Sequence, residues 1–237
     1  MGQLQLYRES ESSLATPTEL IKRGLALAIQ IETRSPLGHL QTPAPIVIHP
    51  EGSWAMVWLR RGLNKYQQRN FQGAIANFEL ALDKHPNLLP ALNGLGSALH
   101  QQRDYAAAVA IYQRALALHP NHGIVNCNLA SALFRLGNWA GAVSAYQMAI
   151  KVLPRQGLAY YGLGIALTKL EEDPAAETAF RRSISLMPDH ASSYYGLGIV
   201  LMRQGNRQGG IEAFREAMLI DPAYTEIYQS LVESRRD

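Results

Sequence analysis

Three Gly-x-Gly elements, a set of histidines and one cysteine are the residues of this chain whose types and spacing could do chemistry. Gly94-Leu95-Gly96, Gly162-Leu163-Gly164 and Gly196-Leu197-Gly198 imitate part of a dinucleotide-phosphate loop. That loop needs a preceding strand and a third glycine opening a helix onto the pyrophosphate. Neither accompanies these pairs, whose flanks carry apolar residues at helical spacing, as in Tyr160, Leu163 and Leu167. The glycines therefore read as packing contacts inside helices. Mid-helix glycine costs roughly 1 kcal/mol against alanine, so each pair calls for close helix approach or a wide groove floor. His85, His119, His122 and His190 fall in polar turns. His119 and His122 are close in sequence, but no cysteine or acid joins them at ligand spacing, and zinc needs three or four converging donors. Cys127 is the one cysteine, so an internal disulfide is excluded, and it has no histidine at a nucleophile-motif spacing. No serine elbow, phosphate loop or catalytic carboxylate pair occurs. The expectation is a protein that is not an enzyme and uses neither cofactor nor metal.

What positions these residues is a repeat. Pro86, Pro120, Pro154, Pro188 and Pro222 each stand 34 residues after the last. In blocks of 34 from Ala55, the eighth place holds Gly62, Gly96, Ala130, Gly164 and Gly198. The twentieth holds Ala74, Ala108, Ala142, Ala176 and Gly210, and the twenty-fourth Phe78, Tyr112, Tyr146, Phe180 and Phe214. A fixed period between about 20 and 50 residues marks stacked supersecondary units. Each block reads as two helices around a polar turn such as Leu136-Gly137-Asn138, with the proline ending the second. Small residues let the helices of a pair approach, and the aromatic fills the space beside them. One pair cannot bury its apolar face alone, so neighbours must stack.

The frame covers 55–224 and stops at both ends. Residues 1–54 form an atypical N-terminal segment. Thr16-Pro17-Thr18-Glu19 is a capping-box start for a helix at about 17–33, and a proline-rich linker at 35–53 follows. A cap over repeat one is favoured over a segment that occupies the groove. Residues 225–237 read as a C-terminal capping helix, apolar at Ile227, Tyr228, Leu231 and Val232. The net charge of +3 and pI of about 9.0 come without a long cationic run, which argues against dedicated nucleic-acid binding. The stretch from Gly24 to Ile31 is too short to cross a bilayer, and the first twenty residues lack the apolar centre of a signal peptide. A soluble cytoplasmic protein of a reducing compartment is expected.

At the repeated places the chain resembles the tetratricopeptide repeat family, whose pattern is a large residue, Leu-Gly, a small residue, an aromatic, a second small residue and a proline. Leu92, Leu95-Gly96, Ala108, Tyr112, Ala115 and Pro120 make one full set. Repeat one keeps Trp58, Gly62, Ala74, Phe78, Ala81 and Pro86, but has Arg61 where the family prefers leucine. The resemblance implies an all-α fold, a right-handed α-solenoid (superhelix) of five tandem 34-residue helix-turn-helix repeats. These span 55–88, 89–122, 123–156, 157–190 and 191–224.

The resemblance also implies that the first helix of each pair lines a concave groove through its second, fifth, ninth, twelfth and thirteenth places. Carried onto this sequence, those places give Asn93, Ser97, His100 and Gln101 in repeat two, and Cys127, Ser131, Phe134 and Arg135 in repeat three, with Asn128 alongside. Repeat four supplies Tyr161, Ile165, Thr168 and Lys169, and repeat five Tyr195, Ile199, Met202 and Arg203. The expected site is a cationic ladder, Arg135, Lys169 and Arg203, beside an exposed apolar strip. It suits a peptide of a partner protein with apolar side chains and an acidic group. The implied function is a non-catalytic scaffold or adaptor. Two other classes stay open: an assembly factor or regulatory module of a larger membrane or photosynthetic complex, and an RNA-binding helical repeat. Self-association through apolar end faces is a further expectation, as is the absence of membrane insertion. The subgroup that grips chaperone carboxylate tails is disfavoured, because Leu59, Leu63 and Gly94 stand where its polar clamp residues belong.

Overall fold

A computed structural model describes residues 54–225, and these fall into two compact units, 54–170 and 171–225. The first unit holds α1 (Trp54–Gln67), α2 (Phe71–Lys84), α3 (Leu89–Gln101), α4 (Tyr105–Leu118), α5 (Gly123–Arg135), α6 (Trp139–Val152) and α7 (Gly157–Lys169). The second holds α8 (Asp173–Leu186), α9 (Ala191–Arg203) and α10 (Arg207–Ile220). The described residues are all-α, built as the paired-helix solenoid that the period predicts. The expected N-terminal helix and linker, and nearly all of the expected capping helix, lie outside the described residues.

Local chemistry sets the helix boundaries. The fifteenth place of each repeat, just after the first helix, adopts a left-handed backbone: Arg69 (φ 59°), Arg103 (66°), Gly137 (79°), Glu171 (62°) and Gly205 (82°). Glycine takes this conformation freely, whereas an L-residue gives up roughly 1 kcal/mol. The next residue caps the second helix. Asn70, Asp104, Asn138 and Asn206 accept from the backbone amides of Gly73, Ala107, Gly141 and Gly209 at 2.9–3.0 Å. Glu172 occupies the same place in repeat four and makes no side-chain cap bond.

The recurring aromatics hold successive pairs together. Phe78 is fully buried between Gly62 of its own pair and Gly94 of the next. A Cβ added at either glycine would come within 2.7 Å or 2.6 Å of the ring. Tyr112 lies equally close to Gly96, and Tyr146 to Gly162. In the second unit Phe180 abuts Gly196 and Phe214 abuts Gly198. Gly94, Gly96, Gly162, Gly196 and Gly198 of the Gly-x-Gly pairs are thus close-approach sites inside helices, as their flanks predict.

One apolar core runs through the first unit from Leu59 to Ala166. Within it α1 touches α3, α3 touches α5 and α5 touches α7, whereas among the described helices α2, α4 and α6 contact first helices alone. The row therefore closes on the first-helix side, and α1, α3, α5 and α7 form its concave face.

Candidate functional site

Each first helix brings its fifth, sixth, ninth, twelfth and thirteenth places toward the concave face, because those offsets fall on one side of a 3.6-residue turn. In α3 and α5 this produces a polar floor. Asn128 Nδ2 donates to Asn93 Oδ1 at 2.9 Å, tying repeat three to repeat two, and both side chains are half-buried. Outside that bond the pair keeps the two N–H donors of the Asn93 amide, the second N–H of Asn128 and the Asn128 carbonyl oxygen. One turn further on, the Ser131 hydroxyl lies 3.2 Å from His100 Nε2. His100 also meets the Tyr105 ring edge-on, centroids 5.0 Å apart. Burial, and then the charge of Arg135, push the His100 imidazole down to about 4, so it is neutral at physiological pH. Cys127 is half-buried on the same face, and burial pushes its thiol up to about 11, far from a reactive thiolate. Phe134 packs against the core with part of its ring accessible.

At the rim, Lys169 Nζ lies 6.0 Å from the centroid of the Trp139 ring, a cation–π contact between repeats four and three. Burial lowers the ammonium pKa of Lys169. Arg135 is half-buried and has no ion pair among the described residues.

Other predicted positions do not present themselves as expected. Ser97 is buried, with its hydroxyl 3.2 Å from the phenol of Tyr112, so it satisfies a core group. Burial raises the pKa of that phenol. Tyr161 and Ile165 are 1% and 6% exposed, and Thr168 bonds back to the Gly164 carbonyl at 2.8 Å. The cause is composition: α7 carries buried residues on every side, as a helix apolar all round must. In the second unit Tyr195 is 2% exposed, with ring centroids 5.2 Å from Phe214 and 5.0 Å from Tyr224. Ile199 shares that cluster, and Met202 packs over Gly210. The expected exposed apolar strip is therefore corrected: Tyr161, Ile165, Tyr195 and Ile199 are core. Arg203 is corrected as well. Its Nε donates to Asp173 Oδ2 at 2.8 Å, with the two side chains 14% and 16% exposed, so it serves an internal pair.

The turn histidines have local roles. His122 Nδ1 caps α5 by accepting from the Val125 amide at 3.3 Å, and His190 Nδ1 lies 2.8 Å from the Ser193 hydroxyl. Among the described residues no three His, Cys, Asp or Glu side chains converge in a way that could hold a metal ion. No described helix is long and apolar enough to cross a membrane.

Sequence reasoning missed a second regular feature. The seventeenth place is aromatic in the first three repeats, Phe71, Tyr105 and Trp139, two residues after the left-handed position. The 34-residue frame carries that signal plainly.

Stacked helix pairs with a polar concave floor define an α-helical repeat protein of the interaction-scaffold class. Two family profiles, both described as tetratricopeptide repeat, match it, one at residues 59–122 and 174–224, the other at 99–163. The chain belongs to the tetratricopeptide repeat family. No curated protein matches the chain. Among solved structures it is similar to a MamA protein, at 23% identity and TM-score 0.65, over 73% of this chain and 94% of that one. MamA (41-end) from Desulfovibrio magneticus RS-1 aligns at 21% identity and TM-score 0.68, over 73% and 97%. YrrB, described as a TPR protein with an unusual peptide-binding site, aligns at 17% identity and TM-score 0.64, over 88% and 97%. At these identities the likeness is one of fold. Proteins of this fold generally act as protein- and peptide-binding scaffolds.

Proposed function

We propose that the concave face of residues 54–170 holds an extended peptide segment of a partner protein, and that the chain works as a non-catalytic scaffold. The observation that carries this reading is the Asn128–Asn93 bond. The two carboxamides fix each other's orientation, and together they still offer N–H donors and a carbonyl acceptor, the complement of a peptide C=O and N–H. Pre-oriented groups lose less freedom on binding, so the pair suits a backbone whose side chains vary. Phe134 gives the segment an apolar contact, and Arg135 and Lys169 at the rim favour an acidic side chain near one end. YrrB, similar in fold, is itself described as having a peptide-binding site, which supports the class of ligand.

The test is capture of protein partners by the full chain and by Asn93→Ala/Asn128→Ala, with bound segments identified by crosslinking and mass spectrometry. Crosslinks from α3 and α5 to one extended segment are expected, lost in the double variant at unchanged helicity. Undiminished capture by the double variant would overturn the proposal.

A further inference from the structure

Outside the concave floor, the turns between paired helices make a second surface along one edge of the first unit. Neighbouring turns meet at two places. Gln102 of the second turn donates to Gln72 beside the first at 2.8 Å, and Lys169 of the fourth reaches Trp139 beside the third. Each turn carries or adjoins a cation: Arg69 and Arg103 stand in the first two turns, and Arg135 and Lys169 end the helices that lead into the third and fourth. The acids among them are Asp104, whose Oδ1 caps α4, and Glu171 and Glu172 of the fourth turn, so the cationic row is that of the first three turns. Arg69 and Arg103 are exposed, and their guanidinium groups make no hydrogen bond or ion pair with any described residue. Both also hold the left-handed backbone that glycine takes without strain in repeats three and five. Positive charge thus stands at two positions where the backbone favours glycine, and negative charge at a third, Glu171, beyond the first three turns. Beside this row Leu136 and Trp139 are exposed, at 48% and 36%.

We infer that this edge is a docking surface for an acidic protein segment, running across the turns with an apolar side chain on Leu136 and Trp139. The inference goes beyond the groove reading, since Arg69, Arg103 and Trp139 lie off the concave floor. Packed helices repeat at about 8–10 Å, and an extended chain advances about 3.3 Å per residue. Acidic residues at every third position would therefore meet successive cations. Nucleic acid fits less well. Phe71 and Tyr105 are half-buried against Tyr66 and His100 in edge-to-face contacts, interplanar angles 66° and 68°, and are not free platforms for bases.

The experiment measures binding of fluorescent probes to the full chain. One is a peptide of about twelve residues with glutamate at every third position and leucine and serine between; its lysine counterpart and an oligouridylate of equal length are the others. The acidic peptide should bind, with affinity falling as salt rises. Arg69→Gly/Arg103→Gly should weaken it roughly tenfold while the melting temperature holds or rises. Arg69→Lys/Arg103→Lys should retain most of the binding. Asn93→Ala/Asn128→Ala should leave it unchanged, which separates this edge from the groove. The inference is overturned if the glycine variant binds as the parent does. It is overturned equally if only the asparagine variant loses affinity, or if oligouridylate binds more tightly than the acidic peptide.

Discussion

Arg203 and Asp173 form an ion pair 2.8 Å apart between α9 and α8, with little of either side chain exposed. The second carboxylate oxygen of Asp173 is buried without a hydrogen-bond partner among the described residues, and burial raises the pKa of the group in spite of the arginine. Removing the cation strands a shielded carboxylate. Arg203→Ala is expected to destabilise the second unit by about 2–4 kcal/mol, measured by denaturant unfolding. The double variant Arg203→Met/Asp173→Asn should recover most of that loss. An Arg203→Ala protein as stable as the parent would show that the pair contributes nothing. Charge reversal at Arg203 therefore tests folding rather than peptide capture.

Stability should fall as pH drops from 6.5 toward 4. The unfolded chain protonates His100 near its ordinary value, while the folded site resists until about 4. Across that window the unfolded state binds the extra proton, so stability rises with pH. His122 and His190 are depressed in the same direction by burial. Replacing His100 with Gln should reduce the slope measured by urea unfolding at stepped pH, by on the order of 1–2 kcal/mol across the window, and leave the smaller share of the other two.

The fourth turn is the least well capped. Glu171 holds a left-handed backbone at φ 62°, and Glu172 makes no side-chain cap bond. Glu171→Gly with Glu172→Asn should stabilise the protein by about 1–2 kcal/mol, read as a rise in the unfolding midpoint. Asn138→Ala, which deletes a working cap, should cost about 1 kcal/mol.

Gly94→Ala gains helix propensity of about 1 kcal/mol and still should destabilise the protein. The added methyl meets the fully buried Phe78 ring at 2.6 Å, and overpacking of this kind costs about 1–3 kcal/mol. Adding Phe78→Leu should relieve the clash. Thermal unfolding of the parent and the two variants decides the sign.

The architecture was legible wherever the chemistry is local. Proline at a fixed interval, a polar turn after the first helix and small residues opposite an aromatic each act within one or two repeats, and the helices lie where those signals place them. Exposure on the first-helix faces was not. Whether Tyr195 is surface or core depends on Phe214 and Tyr224, and whether Arg203 is free depends on Asp173, thirty residues earlier. The family's groove places carry no record of those neighbours. The asparagine pair is a middle case: both residues stood among the candidates, but their bond joins different places of adjacent repeats, a diagonal that reading by columns passes over.

The Phe78 ring sits between a glycine of its own pair and one of the next. A joint that consults only its two sides is indifferent to how many joints there are. Duplicating or deleting one 34-residue module in the gene would therefore reproduce the same joint and alter reach alone, so that lineage-to-lineage changes in length could tune the span of a partner without redesigning a single interface.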